Sequence, residues 1–493
     1  MCNLFLYQII LFIIFILSSS SKIIVLPFKI LKKKEVNINV EPLTLIENMR
    51  ENAIYTNILL GEPPKKINSI ITFNIEDISM YHKINNNLLN NTYYNRNKSK
   101  TFEKINVIYD NPNIEYFKEQ FTFYTDLDFK NTIKVKDLYF TLIEYEKEKI
   151  EKNESNLCLN IGFKLSENSN ENKFNTGINT NIIMQLKQKD IISSYNFNIH
   201  FNPIRIYEEV FDGFIVLGSE PHQYLKSQYN EYQLYKTLAF KKDNSLSWDI
   251  HFNKIYYLNS NNNNEIIIDK KIDFYNQGTL SPSSSLIVGT NDYEKNIKFD
   301  YFDLLIIMGI CKRENKNYMI FYYCYKDKLN KENLEKFPTL YFLNLELDYA
   351  FELNYQDLFF EKDNLVYFLV IFYDFPVEVQ DYFLDYNSRW EFGTPFMKKY
   401  FFTYDYDNKY IGFYNNKKKI IQNEDIKDNN KNTNYLLIII VILILILFFG
   451  MFFIKKYEIK NKKITAIELE NNDKNNINNY FNVEMTQKII FKY

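Results

Sequence analysis

One stretch of this 493-residue chain constrains the rest: residues 435–454 carry no charged side chain and are almost wholly apolar. At 1.5 Å of rise per residue, about 20 residues cover the roughly 30 Å hydrocarbon core of a bilayer, so the run reads as a single transmembrane helix. Lys455 and Lys456 follow at once, with Lys460, Lys462 and Lys463 close behind. Positive charge marks the cytoplasmic side. Lys417, Lys418 and Lys419 also stand ahead of the run, so the orientation leans on the start of the chain as well. There, residues 4–17 are apolar and are followed by Ser18, Ser19, Ser20 and Ser21. That pattern is a signal peptide over 1–21, although residues 1–8 lack the usual basic residue. The expectation is a type I, single-pass membrane protein of the secretory pathway or cell surface. Residues 22–434 face the lumen or exterior, 416–434 form a stalk, and 455–493 form a cytoplasmic tail.

The lumenal part is large enough to bury a core, with 46% hydrophobic residues in the chain. Its charge is nearly balanced, 59 basic against 61 acidic side chains, which gives no electrostatic case for a nucleic-acid partner. Glycine and proline supply only 11 residues each, so turns fall to Asn, Asp and Ser, whose side chains bond locally to the backbone. In an oxidising lumen Cys311 and Cys324, with twelve residues between them, are expected to form a disulfide, and Cys158 is left as a small buried hydrophobe. Asn90, Asn97 and Asn153 each open an Asn-x-Ser/Thr acceptor for N-glycosylation. His82, His200, His222 and His251 show no metal-ligand spacing, so no metal and no cofactor is expected.

From residue 54 onward short apolar or aromatic runs alternate with Asn, Asp and Ser clusters, a β texture. Such runs lie at 67–73, 105–109, 121–124, 214–217 and 266–268. One helical stretch spans 182–192, with Ile182, Ile183, Leu186 and Ile191 on one face. Asn-rich loops fall at 85–100, 164–180 and 258–265, and residues 22–50 read as a leader, of the kind a propeptide would provide.

Several segments, in order, resemble the pepsin-like aspartic proteases (the peptidase A1 family). Tyr55-Thr56-Asn57-Ile58-Leu59-Leu60-Gly61-Glu62-Pro63-Pro64 is similar to the family's opening strand and turn. Gln185-Leu186 with Tyr195-Asn196-Phe197-Asn198-Ile199 resembles the inter-domain helix and strand. Asp212-Gly213-Phe214-Ile215-Val216-Leu217-Gly218, Trp248-Asp249-Ile250 and Phe337-Pro338-Thr339-Leu340 look like later strands. The longest match is Phe392-Gly393-Thr394-Pro395-Phe396, running on to Tyr404-Asp405-Tyr406-Asp407 and Ile411-Gly412-Phe413. The resemblance implies an all-β, bilobal domain over 51–415, lobe one about 51–200 and lobe two about 201–415, with a cleft between the lobes.

Catalysis in that family needs two aspartates that share one proton, one polarising water and the other protonating the peptide carbonyl. Counted from the strand at 67–73, the first position falls on Asn74, followed by Ile75 and Glu76. Counted back from Leu286-Ile287-Val288-Gly289, the second falls on Ser281. Neither is a carboxylate. Asp77 lies three residues late and Asp273 eight residues early, and either would break the strand-to-loop register. Ser283, Ser284 and Ser285 lack the turn of a serine nucleophile. The expectation is therefore a catalytically inactive member of the family whose cleft binds a peptide or protein. An active aspartic endopeptidase with a diverged site and a structural surface protein are the alternatives.

Overall fold

The computed structural model describes residues 22–31, 41–50, 52–73, 77–82, 98–105, 114–143, 157–164, 178–206, 209–239, 241–242, 245–258, 265–268, 277–375 and 389–414. Asn74, Asn90, Asn97, Asn153, Asp273 and the segments expected to be a signal peptide (1–21), a stalk (416–434), a membrane span (435–454) and a tail (455–493) lie outside them. No helix among the described residues is long and apolar enough to cross a membrane.

The architecture is mainly β. The larger sheet has thirteen described strands. In the order Leu234–Leu238, Tyr410–Tyr414, Phe402–Asp405, Asn196–His200, Gly213–Leu217, Ile24–Leu31, Ala53–Leu60 and Lys65–Thr72, it continues through Leu157–Gly162 to Ile78–His82, Thr132–Ile143, Ile114–Tyr124 and Glu103–Ile105. The strand Ile114–Tyr124 also pairs back with Ile24–Leu31 and Ala53–Leu60, which curls this half on itself. A second sheet runs through Asp249–His251, Gln277–Leu280, Trp390–Phe392, Ile287–Val288, Val370–Tyr373 and Met319–Tyr325. A four-stranded sheet of Glu265–Ile267, Lys254–Leu258, Leu340–Asn344 and Tyr349–Leu353 lies beside it in sequence.

The strands form where side chains alternate. Along Ala53–Leu60 every second residue is buried, Ile54, Thr56, Ile58 and Leu60 inward, so one face meets the core and the other does not. The helix expected over 182–192 is shorter, Ile182–Gln188, capped where Asn181 Oδ1 accepts from the Met184 N–H at 3.1 Å. Aromatic residues join the two halves. Trp248 donates its Nε1–H to the Phe163 carbonyl at 2.8 Å and packs against Phe197, Tyr404 and Tyr406 at ring distances of 5.8, 5.1 and 5.3 Å. Trp390 is fully buried between Phe342 and Tyr293.

Two boundaries differ from the sequence reading. The leader is part of the body: Ile24–Leu31 sits between Gly213–Leu217 and Ala53–Leu60 and hydrogen-bonds to both, burying Ile24, Val25, Leu26 and Phe28. The helix Pro42–Arg50 follows and places Leu45 and Ile46 in one apolar cluster with Val288, Phe321 and Ile371 of the second sheet and the adjoining Leu286 and Leu369. The charged run at Lys32–Lys34 hid this apolar strand from a reading by composition. Nor does the chain change lobes at residue 200, because Gly213–Leu217, Leu234–Leu238 and both last strands belong to the larger sheet. The disulfide is as expected: Cys311 and Cys324 face each other on paired strands and are joined.

Candidate functional site

Two strand ends meet at one cavity. In the first half Lys65–Thr72 runs parallel to Leu157–Gly162, with Thr72 opposite Gly162, and the Phe163 N–H donates to the Thr72 carbonyl at 2.8 Å. In the second half Gln277–Leu280 runs parallel to Trp390–Phe392, with Leu280 opposite Phe392, and the Ser281 N–H donates to the Phe392 carbonyl at 2.9 Å. Each half thus ends a strand beside a glycine, Gly162 or Gly393. Ser281 follows Leu280 as Gly393 follows Phe392, so counting from the two glycines puts Thr72 and Ser281 at matching places. Counting along a single strand led instead to Asn74, which lies outside the described residues.

A cavity of about 570 Å³ opens between these ends. Thr72, Phe73, Thr279, Ser281 and Ser283 line it together with Asn52, Ala53, Ile70, Val288, Arg389, Trp390 and Glu391. Hydroxyl groups come from both halves. Among the described lining residues Glu391 is the only carboxylate, so nothing there forms an acidic pair. Asp77, the late candidate, is described but does not line the cavity.

The loop that carries Ser281 is held on three sides. Its own turn closes where the Ser284 N–H donates to the Ser281 carbonyl at 3.1 Å. The Thr394 N–H donates to the Ser284 carbonyl at 2.7 Å, and a Cβ on Gly393 would stand 2.2 Å from the Leu286 oxygen and 2.4 Å from that of Ser284. The helix Pro42–Arg50 supplies the third contact. The Ser285 N–H donates to the Met49 carbonyl at 2.8 Å, and Asn52 Nδ2 donates to Ser285 Oγ at 2.6 Å. The loop is thus tied to its neighbours on all three sides, and the missing side chain of Gly393 is what permits so close an approach to its backbone.

Strongly displaced pKa values cluster at functional sites, and here they lie elsewhere. Burial pushes His200 down to about 3 and lifts the buried Tyr293, Tyr404 and Tyr224 hydroxyls well above their usual range. None of these lines the cavity. Among the described residues no group of three or more His, Cys, Asp or Glu is placed to hold a metal ion. Of the lining residues, Ser281 was singled out from the sequence, whereas Thr72, Asn52, Arg389 and Glu391 were not. A single strand carries no mark of the partner that sets its register, and Arg389 and Glu391 stand in no motif.

No protein-family model matches the chain, and no curated protein matches it. Among solved structures it is similar to the crystal structure of basic 7S globulin from soybean, with a TM-score of 0.49 and 10% sequence identity over 80% of this chain and 96% of that one.

Proposed function

We propose that this chain is a membrane-anchored protein on a pepsin-like scaffold that does not cut peptides and uses the cavity between its halves to bind one. A single observation carries the reading. The two strand ends that would each present an aspartate present Thr72 and Ser281, and the described lining has one carboxylate in all, Glu391.

The chemistry follows from that lining. A hydroxyl group near neutral pH neither holds a negative charge nor shares a labile proton with a neighbour, so it cannot activate water as an aspartate pair does. It does donate one hydrogen bond and accept others. Hydroxyls on both walls, together with Asn52, can therefore satisfy the N–H and C=O groups of an extended segment without attacking it. The resemblance of segments spread over 51–415 supports the scaffold, and the apolar run 435–454 supports the anchor.

The test uses the full-length chain in detergent or nanodiscs, with a mixed peptide library from acidic to neutral pH, with and without pepstatin. The reading expects no pepstatin-sensitive cleavage. It also expects saturable peptide binding that Ser281→Trp, which fills the cavity, abolishes. Pepstatin-sensitive cleavage would establish the protease alternative. A folded protein that binds no peptide would leave the structural surface role.

A further inference from the structure

Beyond the cavity, the chain after Thr290 runs as one helical arm. It comprises the α-helix Asn291–Ile297, a π-helical stretch Lys298–Phe302 and the α-helix Asp303–Ile307. Its inner side is core: Tyr293, Ile297, Phe302 and Leu305 are buried, and Phe302 stacks on Tyr322 at 4.2 Å. Its outer side is apolar as well. Phe299 is 79% exposed, Leu304 66%, Ile307 83% and Met308 61%.

The π-helical stretch explains why these four share a face. In an unbroken α-helix, at about 100° per residue, Phe299 and Leu304 would point about 140° apart. A π turn takes in an extra residue, here with the Asp303 N–H bonded back to the Lys298 carbonyl, and so swings Leu304 round toward Phe299. Ile307 and Met308 extend the stripe by one further turn.

The exposed area of these four side chains is roughly 500–600 Å², at the top of what a monomer shows in one patch. It is also smaller than the roughly 800 Å² per partner of a standard protein interface. The rim suits a lipid surface. Lys298 Nζ lies 2.6 Å from Asp303 Oδ1, and Asp300 accepts from the Tyr257 hydroxyl, so both acids in the outer half of the arm are engaged. Past Gly309, Lys312 and Lys328 stand over the Tyr325 ring at 5.5 and 5.0 Å. Apolar side chains edged by lysine and tyrosine match the gradient from acyl chains to headgroups. By sequence, twenty residues separate Tyr414 from Tyr435, a tether of at most about 70 Å.

We propose that Phe299, Leu304, Ile307 and Met308 insert into the lumenal leaflet of a bilayer, with Lys312 and Lys328 against its phosphate headgroups. The nearness of that bilayer rests on the anchored reading above; the patch does not.

The experiment places a reporter at the centre of the stripe, Ile307→Trp, in the full-length chain in vesicles of phosphatidylcholine and phosphatidylserine. Trp248 and Trp390 are 5% and 0% exposed, so the introduced indole is the accessible one among the described residues. The proposal expects its emission to shift blue and to fall to about half or less with brominated lipid, while acrylamide leaves it unquenched. Adding Leu304→Asp reverses both effects. Quenching by acrylamide and not by brominated lipid overturns the proposal. Protection from both overturns it too, because a second copy then covers the patch. Carbonate extraction of the same vesicles reads the anchor separately: release of the chain refutes the span, and the indole still decides the patch.

Discussion

His200 makes the stability of this fold depend on acidity in a way that can be calculated. It closes the strand Asn196–His200 and is 1% exposed. Its ring stacks on Phe214 at 4.6 Å, and Nε2 lies 2.7 Å from Tyr224 Oη and 3.2 Å from Asn198 Oδ1, neither of them charged. Burial without a compensating anion favours the neutral ring and pushes the pKa from 6.5 down to about 3. The sign is that of a depressed group. The unfolded chain takes up a proton as pH falls through about 6.5, while the folded chain does so only near 3. The stabilisation present above 6.5 is therefore lost as the pH drops toward 3. At about pH 5 the unfolded imidazole is protonated by about thirty to one, which favours unfolding by about 2 kcal/mol. His200→Gln keeps a hydrogen-bonding group and removes the titration. Urea unfolding of both chains at about pH 7.5 and about pH 5 gives the comparison. The variant is expected to be less stable at the higher pH, having lost the ring stack, and to lose about 2 kcal/mol less than the parent on acidification. All other titrations cancel in that difference. Equal losses would mean that the folded imidazole protonates freely, and the burial argument would fail.

Gly393→Ala should drive a methyl group into the carbonyls of Leu286 and Ser284. The expected cost is about 1–3 kcal/mol, with weaker peptide binding because the Ser281 loop is displaced; an unchanged melting temperature and affinity would refute the close approach. The Cys311–Cys324 bridge closes a short loop, so replacing both cysteines by serine should cost about 3 kcal/mol. Reductant should lower the parent's denaturation midpoint and leave the double variant's unchanged; a parent insensitive to reductant would show that the bridge contributes nothing.

Much of the β architecture was legible because its strands carry their own alternation. The runs at 121–124 and 214–217 fall within strands, those at 67–73 and 266–268 do so but for their last residue, and 106–109 lies outside the described residues. The N-terminal strand was not legible. Ile24–Leu31 has no alternation of its own to show, since both of its faces are buried, and it falls in the stretch read as a leader. The site was half legible. Ser281 followed from the Leu-Ile-x-Gly run that it precedes, whereas Thr72 is fixed by its ladder with Gly162, about ninety residues on. A register set by a distant partner leaves no trace in the local spacing.

The larger sheet also dictates when this protein can finish folding. Tyr410–Tyr414 and Phe402–Asp405 bridge Leu234–Leu238 to Asn196–His200, in the same sheet that holds Ile24–Leu31. At 5–20 residues per second a ribosome needs roughly 10 to 40 s to pass from Asn196–His200 to Phe402–Asp405. Through that interval the Asn196–His200 edge waits with unpaired N–H and C=O groups, an invitation to mispairing. The sheet is thus a product of the chain from residue 24 to residue 414, and truncation before residue 402 would remove not a lobe but the seam that joins these strands.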